Sequence, residues 1–211
     1  MPSRFMRWFS LVPNRDAILI CRSMIEGLCQ VAWAAQQPTD RPLDWRSFAW
    51  IRDWRLMRDS LANGHAVDPE RQAMIATALQ GYGQRFFTEK AKRALGQTGA
   101  LPDDPYHKNW RRGQTIKDIC AAVNATELYD KLYAPYSDWH HWNVAGFAEV
   151  IHRDGPQVRY ASLTPRVAAE VVAVAFQCLI ETLQYFDRAF GSRHGPAISE
   201  IRDEYLALHD E

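Results

Sequence analysis

Two charged residues stand four apart near the start of the chain, Arg22 and Glu26. Residues four apart share one face of a helix, and this face borders the apolar positions Cys21, Ile25 and Cys29. Because the arginine precedes the glutamate, the pair has the less favourable orientation for supporting a helix alone, so we expect each to have another partner. A guanidinium can stabilise phosphate charge while a carboxylate orients a neighbouring group. A structural ion pair is the alternative interpretation, and both stay open.

The densest group of polar and aromatic side chains lies between residues 129 and 143. Ser137 and His141 are four apart on a predicted helix that Ser137 caps, and His140 precedes His141. Histidine can gain or lose a proton near neutral pH, which suits acid and base catalysis. A hydrogen-bonded core histidine is the alternative interpretation. The candidate catalytic residues are Arg22, Glu26, Asp53, Ser137, His140 and His141.

A weakly basic stretch runs from residue 85 to residue 117, with eight Lys and Arg against three acids and with aromatic residues interleaved. Such a stretch can hold RNA phosphates and stack a base. An ordinary solvated helix end and loop is the alternative, because runs of charge usually face water. The candidate nucleic-acid-binding residues are Arg93, Lys108, Trp110, Arg111 and Arg112.

No metal site and no cofactor is predicted. Asp138 and Glu149 each precede a histidine by three residues, His141 and His152. Both pairs fall on one predicted helix, whereas a di-iron bundle draws such pairs from two helices and adds further carboxylates. The four cysteines show neither CxxC nor Cys/His spacing and are interpreted as reduced core residues.

The elements that must position these residues are helices, because apolar residues recur at helical spacing and alternation is nearly absent. We predict an all-α fold in a single domain, residues 1–211, with a core over 14–209 and an N-terminal extension over 1–13. The bundle is expected to hold seven or eight helices. They are predicted at about 15–37, 43–62, 69–95, 115–123, 126–133, 137–152, 164–190 and 197–209.

The breaks between the helices follow from turn-forming residues. Pro135 is predicted to end the helix before it, and Asp68 to cap the third helix with Pro69 in its first turn. The stretch 96–112 is the one long loop, and a strand is allowed between the turn at 154–156 and Ser162.

Composition narrows the class of protein. With 25 Lys and Arg against 25 Asp and Glu, no global field draws the chain to nucleic acid or to an anionic membrane. The N-terminus has no signal-peptide pattern, and the most apolar segment, 167–180, contains Glu170 and is too short to span a bilayer. A cytoplasmic protein without a membrane partner is expected.

The order of motifs resembles a bacterial family of helical proteins whose function is unknown. The resemblance lies in Arg22-x-x-x-Glu26, then a segment led by Trp110, then the four-residue spacing of Tyr129, Tyr133, Ser137 and His141. It covers the chain from the first helix to the helix predicted at 137–152. The resemblance implies that Arg22, Glu26, Ser137 and His141 form one cluster, and it supplies no activity.

Two functions are therefore carried forward. The first is a bacterial stress or phage-defence type protein that binds or acts on a nucleotide or RNA through a polar Arg/Glu/Ser/His cleft. Whether it is an enzyme stays open. The alternative is a non-catalytic helical module that binds a protein partner or forms a homodimer, with the polar cluster fixing helix register. An open cleft would favour ligand chemistry and a sealed one would favour structure.

Overall fold

The structure is a computed structural model, and it describes residues 14–140, 151–160 and 165–207. The chain forms two compact units. We call residues 1–36 with 116–211 the terminal unit, and residues 37–115 the middle unit. The all-α prediction is confirmed. The prediction of a single domain stays a prediction, and each unit is described by itself.

The described elements follow one another in chain order. They are α1 Asn14–Ala35, α2 Arg41–Ala62, α3 Pro69–Tyr82, a 3₁₀ turn Gly83–Phe86, α4 Glu89–Thr98, α5 Ile116–Ala122, α6 Thr126–Leu128, a π-helical segment Tyr129–Tyr133, α7 Ala134–His140, β1 Ile151–Asp154, β2 Gln157–Tyr160, α8 Pro165–Phe190 and α9 Gly195–Ala207.

The terminal unit is organised around α1, which packs along α8 and also meets α5, α7 and the π-helical segment. Its buried side chains recur every three or four residues, which places them on one stripe. They are Ile18, Cys21, Ile25, Leu28, Cys29, Ala32 and Trp33. From the other elements, Cys120, Val171, Cys178 and Ile180 complete this core. The burial of one apolar stripe of α1 therefore holds the unit together.

The middle unit contains a hairpin of the helices α2 and α3, and a long loop that side chains of α2 hold in place. α2 ends at Asn63-Gly64, where Gly64 has a φ of 75°, and it packs against α3. The Asp68 side chain accepts a hydrogen bond from the Glu70 backbone N–H at 3.1 Å, and Pro69 follows it, as predicted. The core holds Ile51, Ile75 and Phe86 among its fully buried side chains.

The long loop after α4 is held in place by α2. Arg55 binds the Asp104 carboxylate through two nitrogens, at 2.9 and 3.1 Å, and also donates to the carbonyls of Tyr106 and His107. The Tyr106 ring meets the Trp54 ring edge to face at 5.1 Å. Loop backbone groups are thus paired although they lie outside any regular element.

Three predicted boundaries were wrong. The third predicted helix does not continue to 95, because the chain leaves α3 through a 3₁₀ turn and Thr88 caps a new helix at Ala91 N–H. Pro135 does not end a helix, since helical backbone continues to His140. The helix predicted to reach 152 is wrong at its end, where β1 pairs with β2 across the turn at Gly155. The strand allowed in this region is confirmed.

Two helices are long and apolar enough to cross a membrane when judged by length and composition, Ala17–Ala35 and Ala168–Phe190. Core helices of soluble proteins meet the same criteria, so the observation is weak. Both helices belong to the terminal unit, in which α1 and α8 pack against each other.

The stripe of α1 predicts a contrast between two isoleucines of the same helix. Ile25→Ala should lower the free energy of unfolding by about 2–5 kcal/mol, because Ile25 is fully buried. Ile20 is exposed, so Ile20→Ala should change it by less than about 0.5 kcal/mol. Urea unfolding followed by circular dichroism measures both. Equal losses would contradict the assignment of the buried stripe.

Candidate functional site

A hydrogen-bonded network in the terminal unit joins α1 to the π-helical segment. Arg22 Nη2 donates to the Tyr133 hydroxyl at 2.9 Å, and that hydroxyl donates to Glu26 Oε2 at 3.2 Å. Gln30 Nε2 donates to the other oxygen of Glu26 at 3.1 Å. Tyr133 therefore connects the two charged residues that the sequence placed on one face of α1.

Arg22 is held in place by more than one contact. Its guanidinium lies 4.9 Å from the centroid of the Tyr133 ring, a cation–π distance. Its Nε is buried and donates to no acceptor among the residues that the structure describes. A buried guanidinium N–H without an acceptor is costly, because it has given up its hydrogen bonds to water. Such a donor is suited to an oxyanion.

The Tyr133 hydroxyl keeps its proton at neutral pH. Burial of the hydroxyl raises the pKa of Tyr133 to about 12, and the nearby Glu26 carboxylate adds to the rise. A neutral hydroxyl can donate one hydrogen bond and accept another, which is the role it has between Glu26 and Arg22. The network therefore places a fixed dipole between a cation and an anion.

The π-helical segment explains how Tyr133 comes to face α1. The Ala134 N–H donates to the Tyr129 carbonyl, five residues back instead of four. Pro135 follows, and proline has no N–H and would clash with the carbonyl four residues before it in a regular α-helix. The wider turn accommodates Pro135 and shifts the register of the side chains. Such segments are rare and frequently occur at functional sites.

The three predicted partners Ser137, His140 and His141 differ in how much of each the structure describes. Ser137 lies one turn after Tyr133 and is half-buried. His140 is the last residue of α7, but its side chain lies outside the described residues, and so does His141 as a whole. The helix carrying Ser137 does pack against α1. The placement of the two histidines beside Arg22 and Glu26 stays a prediction.

Asp53 is a residue of the middle unit, where its carboxylate accepts a hydrogen bond from Arg71. Arg71 in turn lies 5.3 Å from the centroid of the Trp50 ring. These contacts tie α2 to α3. Asp53 therefore has a structural role in its own unit.

The candidate nucleic-acid-binding residues also lie in the middle unit. Arg93 and Lys108 are exposed, and Trp110 and Arg111 are half-buried. Arg112 reaches a carboxylate that the sequence did not single out, that of Asp44. Asp44 is fully buried, and it also accepts a hydrogen bond from Arg85 at 3.1 Å.

The four cysteines are free and buried. Cys120 Sγ lies 3.0 Å from Cys29 Sγ, and burial raises the pKa of Cys21 to about 11 and that of Cys178 to about 12. The thiols of Cys21 and Cys178 are therefore poor nucleophiles. Within the described residues, no group of three or more His, Cys, Asp or Glu could hold a metal ion.

The model of a protein family, the family of unknown function DUF5677, matches residues 14–158, which is more than half of the chain. The chain belongs to the DUF5677 family. The match begins with α1 and ends in β2, so the DUF5677 region contains Arg22, Glu26 and Tyr133, whereas α8 and α9 follow it. Comparison with curated proteins and with solved structures gave no match.

The sequence pointed to Arg22 and Glu26 but not to the other two residues of the network, Tyr133 and Gln30. Tyr133 was part of the spacing pattern but not of the candidate site, because a tyrosine at helical spacing usually belongs to the core. The available signal was Pro135, two residues later, since a proline inside a helical pattern requires a local distortion. Asp44 was missed because a carboxylate near a helix start is ordinarily solvated.

The network predicts different effects for two neighbouring tyrosines. Tyr133→Phe removes the hydroxyl that Arg22 donates to and Glu26 accepts from, so it should lower the free energy of unfolding by about 1–3 kcal/mol. Tyr129 stacks on Tyr133 at 5.3 Å, and Tyr129→Phe keeps that ring contact. It should therefore have an effect below about 0.5 kcal/mol. Chemical unfolding of both variants measures the difference, and a neutral Tyr133→Phe would show that the network is not formed.

Proposed function

We propose that this protein binds a nucleotide or RNA through Arg22, Glu26 and Tyr133 of the terminal unit. The observation that carries the proposal is the buried Arg22 Nε, which donates to no acceptor among the residues that the structure describes. The same guanidinium lies beside the neutral Tyr133 hydroxyl, which donates to the Glu26 carboxylate. An arginine in this setting is suited to phosphate oxygens, because the guanidinium presents several donors in a fixed plane. The biological class that goes with the proposal is a bacterial stress or phage-defence protein in the cytoplasm.

Aromatic side chains beside Arg22 support a nucleotide over a simple anion. The Tyr129 and Tyr133 rings are stacked at 5.3 Å, and the Lys117 ammonium lies 5.9 Å from the centroid of the Tyr129 ring. Tyr129 is half-buried, so part of it remains accessible. A nucleobase gains about 1–3 kcal/mol by stacking on an aromatic side chain. Phosphate donors and an aromatic surface thus occur within one network.

In the catalytic form of the proposal, each residue has a separate role. Arg22 stabilises the charge that develops on a phosphate, and Glu26 with Tyr133 fixes the orientation of Arg22. His141, four residues after Ser137, transfers the proton. The binding form needs Arg22 and Tyr133 and no proton transfer. His141→Ala separates the two forms, because it should abolish turnover in the first and leave ligand affinity unchanged in the second.

The proposal predicts that Arg22 determines nucleotide affinity. Arg22→Gln should weaken the binding of adenosine monophosphate, measured by calorimetry, by at least about tenfold, or 1.4 kcal/mol. Arg188→Gln is the matched control. Arg188 lies 4.7 Å from the centroid of the Tyr185 ring, much as Arg22 lies over Tyr133, but it is exposed on α8. The control should bind like the parent protein.

Two results would contradict the proposal. One is equal affinity of the parent protein and of Arg22→Gln for adenosine monophosphate. The other is the absence of any affinity of the parent protein for adenosine monophosphate or for a short RNA. Native mass spectrometry of the purified protein adds a direct search for a retained ligand and reports the oligomeric state in the same measurement.

A different observation favours the alternative, a non-catalytic module that forms a homodimer. α8 exposes four large apolar side chains at spacings of four, three and four residues, which places them on one stripe. They are Leu179, Leu183, Phe186 and Phe190. In an antiparallel pair of α8 helices, Leu183 of one copy would lie opposite Phe186 of the other. The stripe is self-complementary in that arrangement, as a twofold interface requires.

The alternative predicts that a charge in the stripe prevents self-association. Leu183→Glu should shift sedimentation from a dimer to a monomer, because a carboxylate buried in an apolar interface is unpaired. Gln184→Glu is the control, since it adds the same charge beside the stripe, four residues before Arg188. A parent protein that sediments as a monomer at every concentration would exclude this alternative.

A further inference from the structure

The neutral net charge of the chain hides a separation between its two units. The middle unit holds 13 Lys and Arg against 9 Asp and Glu, a net charge of +4. The terminal unit holds 12 against 16, a net charge of −4. A polyanion is therefore attracted to one unit and repelled by the other. The zero net charge of the whole chain therefore does not exclude nucleic-acid binding by the middle unit.

Two arginines of the middle unit converge on one buried carboxylate. Asp44 is 2% exposed, and its two oxygens accept hydrogen bonds from Arg85 Nη1 and Arg112 Nη2. Arg85 Nη2 also lies 3.6 Å from Oδ1 of Asp40. Arg85 and Arg112 nevertheless remain 38% and 46% exposed. The buried carboxylate thus fixes both guanidiniums while much of each side chain remains in contact with solvent.

The loop is shaped to bring Arg112 to this position. Arg112 has a φ of 56°, in the left-handed region that side chains rarely adopt, and Gly113 follows with a φ of 90°. A Cβ at Gly113 would lie 3.1 Å from His107 Nδ1. The Asn109 side chain accepts a hydrogen bond from the Gly113 N–H at 3.2 Å and so supports the turn. The backbone conformation at Arg112 is therefore maintained by its neighbours.

A third arginine lies near Arg112, and an exposed tryptophan lies on the same helix as that third arginine. Arg41 is the first residue of α2, and burial lowers the pKa of Arg41, with the nearby Arg112 guanidinium adding to the effect. Trp45 follows Arg41 by four residues, so both side chains lie on the same face of α2. Trp45 is 64% exposed. Two guanidiniums thus bind one buried carboxylate, and a third lies near Arg112. The accessible indole shares the helix face of that third arginine.

We propose that Arg41, Trp45, Arg85 and Arg112, which we call the Trp45 surface, bind a single-stranded nucleic acid. The guanidiniums contact successive phosphates, and an unpaired base stacks on the Trp45 indole. A duplex keeps its bases inside the helix and cannot use the indole in this way. This surface lies on the middle unit, so it is a second site that does not depend on Arg22.

The test is fluorescence anisotropy with a labelled single-stranded oligonucleotide of about ten nucleotides, within the usual site size of such surfaces. Trp45→Ala should weaken binding by about 5- to 150-fold, the range expected for the loss of one stacked base. Trp45 is exposed, so its removal should not disturb folding. Leu56→Ala is the matched control, because Leu56 lies on the same helix and is 59% exposed. It should bind like the parent protein.

The arginines are tested through salt dependence. Arg85→Gln should reduce the slope of log affinity against log salt concentration by about one, because one phosphate contact is lost. The four ligand arms are RNA, DNA of the same sequence, the corresponding duplex and polyglutamate. Binding of either single strand with dependence on Trp45 supports the proposal. Equal binding of Trp45→Ala and Leu56→Ala, preference for the duplex, or equally strong binding of polyglutamate overturns it.

The assay also separates this proposal from the one for Arg22. Oligonucleotide binding is measured in the Arg22→Gln background, and adenosine monophosphate binding in the Trp45→Ala background. If the oligonucleotide requires Trp45 while no variant or parent binds the mononucleotide, the Trp45 surface stands and the Arg22 proposal fails. If the mononucleotide requires Arg22 while Trp45→Ala leaves oligonucleotide binding unchanged, the Trp45 surface is excluded.

Discussion

The burial of one stripe of α1 is the constraint on which the terminal unit depends. Ile25 and its neighbours on the stripe fill the space between α8 and α5, and their burial fixes the rotation of the helix about its own axis. Arg22 and Glu26 lie at the edge of that stripe, so their positions follow from it. Apolar packing thus places Arg22 and Glu26. The hydrogen bonds through Tyr133 then fix the orientation of their side chains.

Local signals in the sequence predicted the helix boundaries that one or two residues determine. Asp68 caps a helix that begins at Pro69, and Gly64 adopts the left-handed conformation that ends one. The break near Thr88 was missed because the residues around it suit a helix equally well, and the loop that pairs with them decides the outcome. The Thr88 N–H donates to the Pro105 carbonyl, a contact across 17 positions that no local pattern contains.

The candidate site shows the same division between local and distant information. The spacing of Arg22 and Glu26 predicted a shared face, and the family resemblance implied that Ser137 and His141 lie near that face. The sequence could not predict which tyrosine fits between the two charges, because that depends on the register of one helix against another. Asp44 was missed for a similar reason, since its burial follows from two arginines that lie 41 and 68 positions later. Buried carboxylates are identified through their partners.

The π-helical segment amounts to one extra residue inserted into a helix. Each residue turns an α-helix by about 100°, so a chain with one residue fewer between Tyr129 and Tyr133 would present a different side of α7 to α1. The part of α7 that contains Ser137 would then be rotated relative to α1. Pro135 opposes such a return to regular geometry, because it cannot donate the hydrogen bond that a regular turn would need. The number of residues in this segment is therefore a condition for assembling the network. A chain with the same residue types but one residue fewer in the segment would not assemble it.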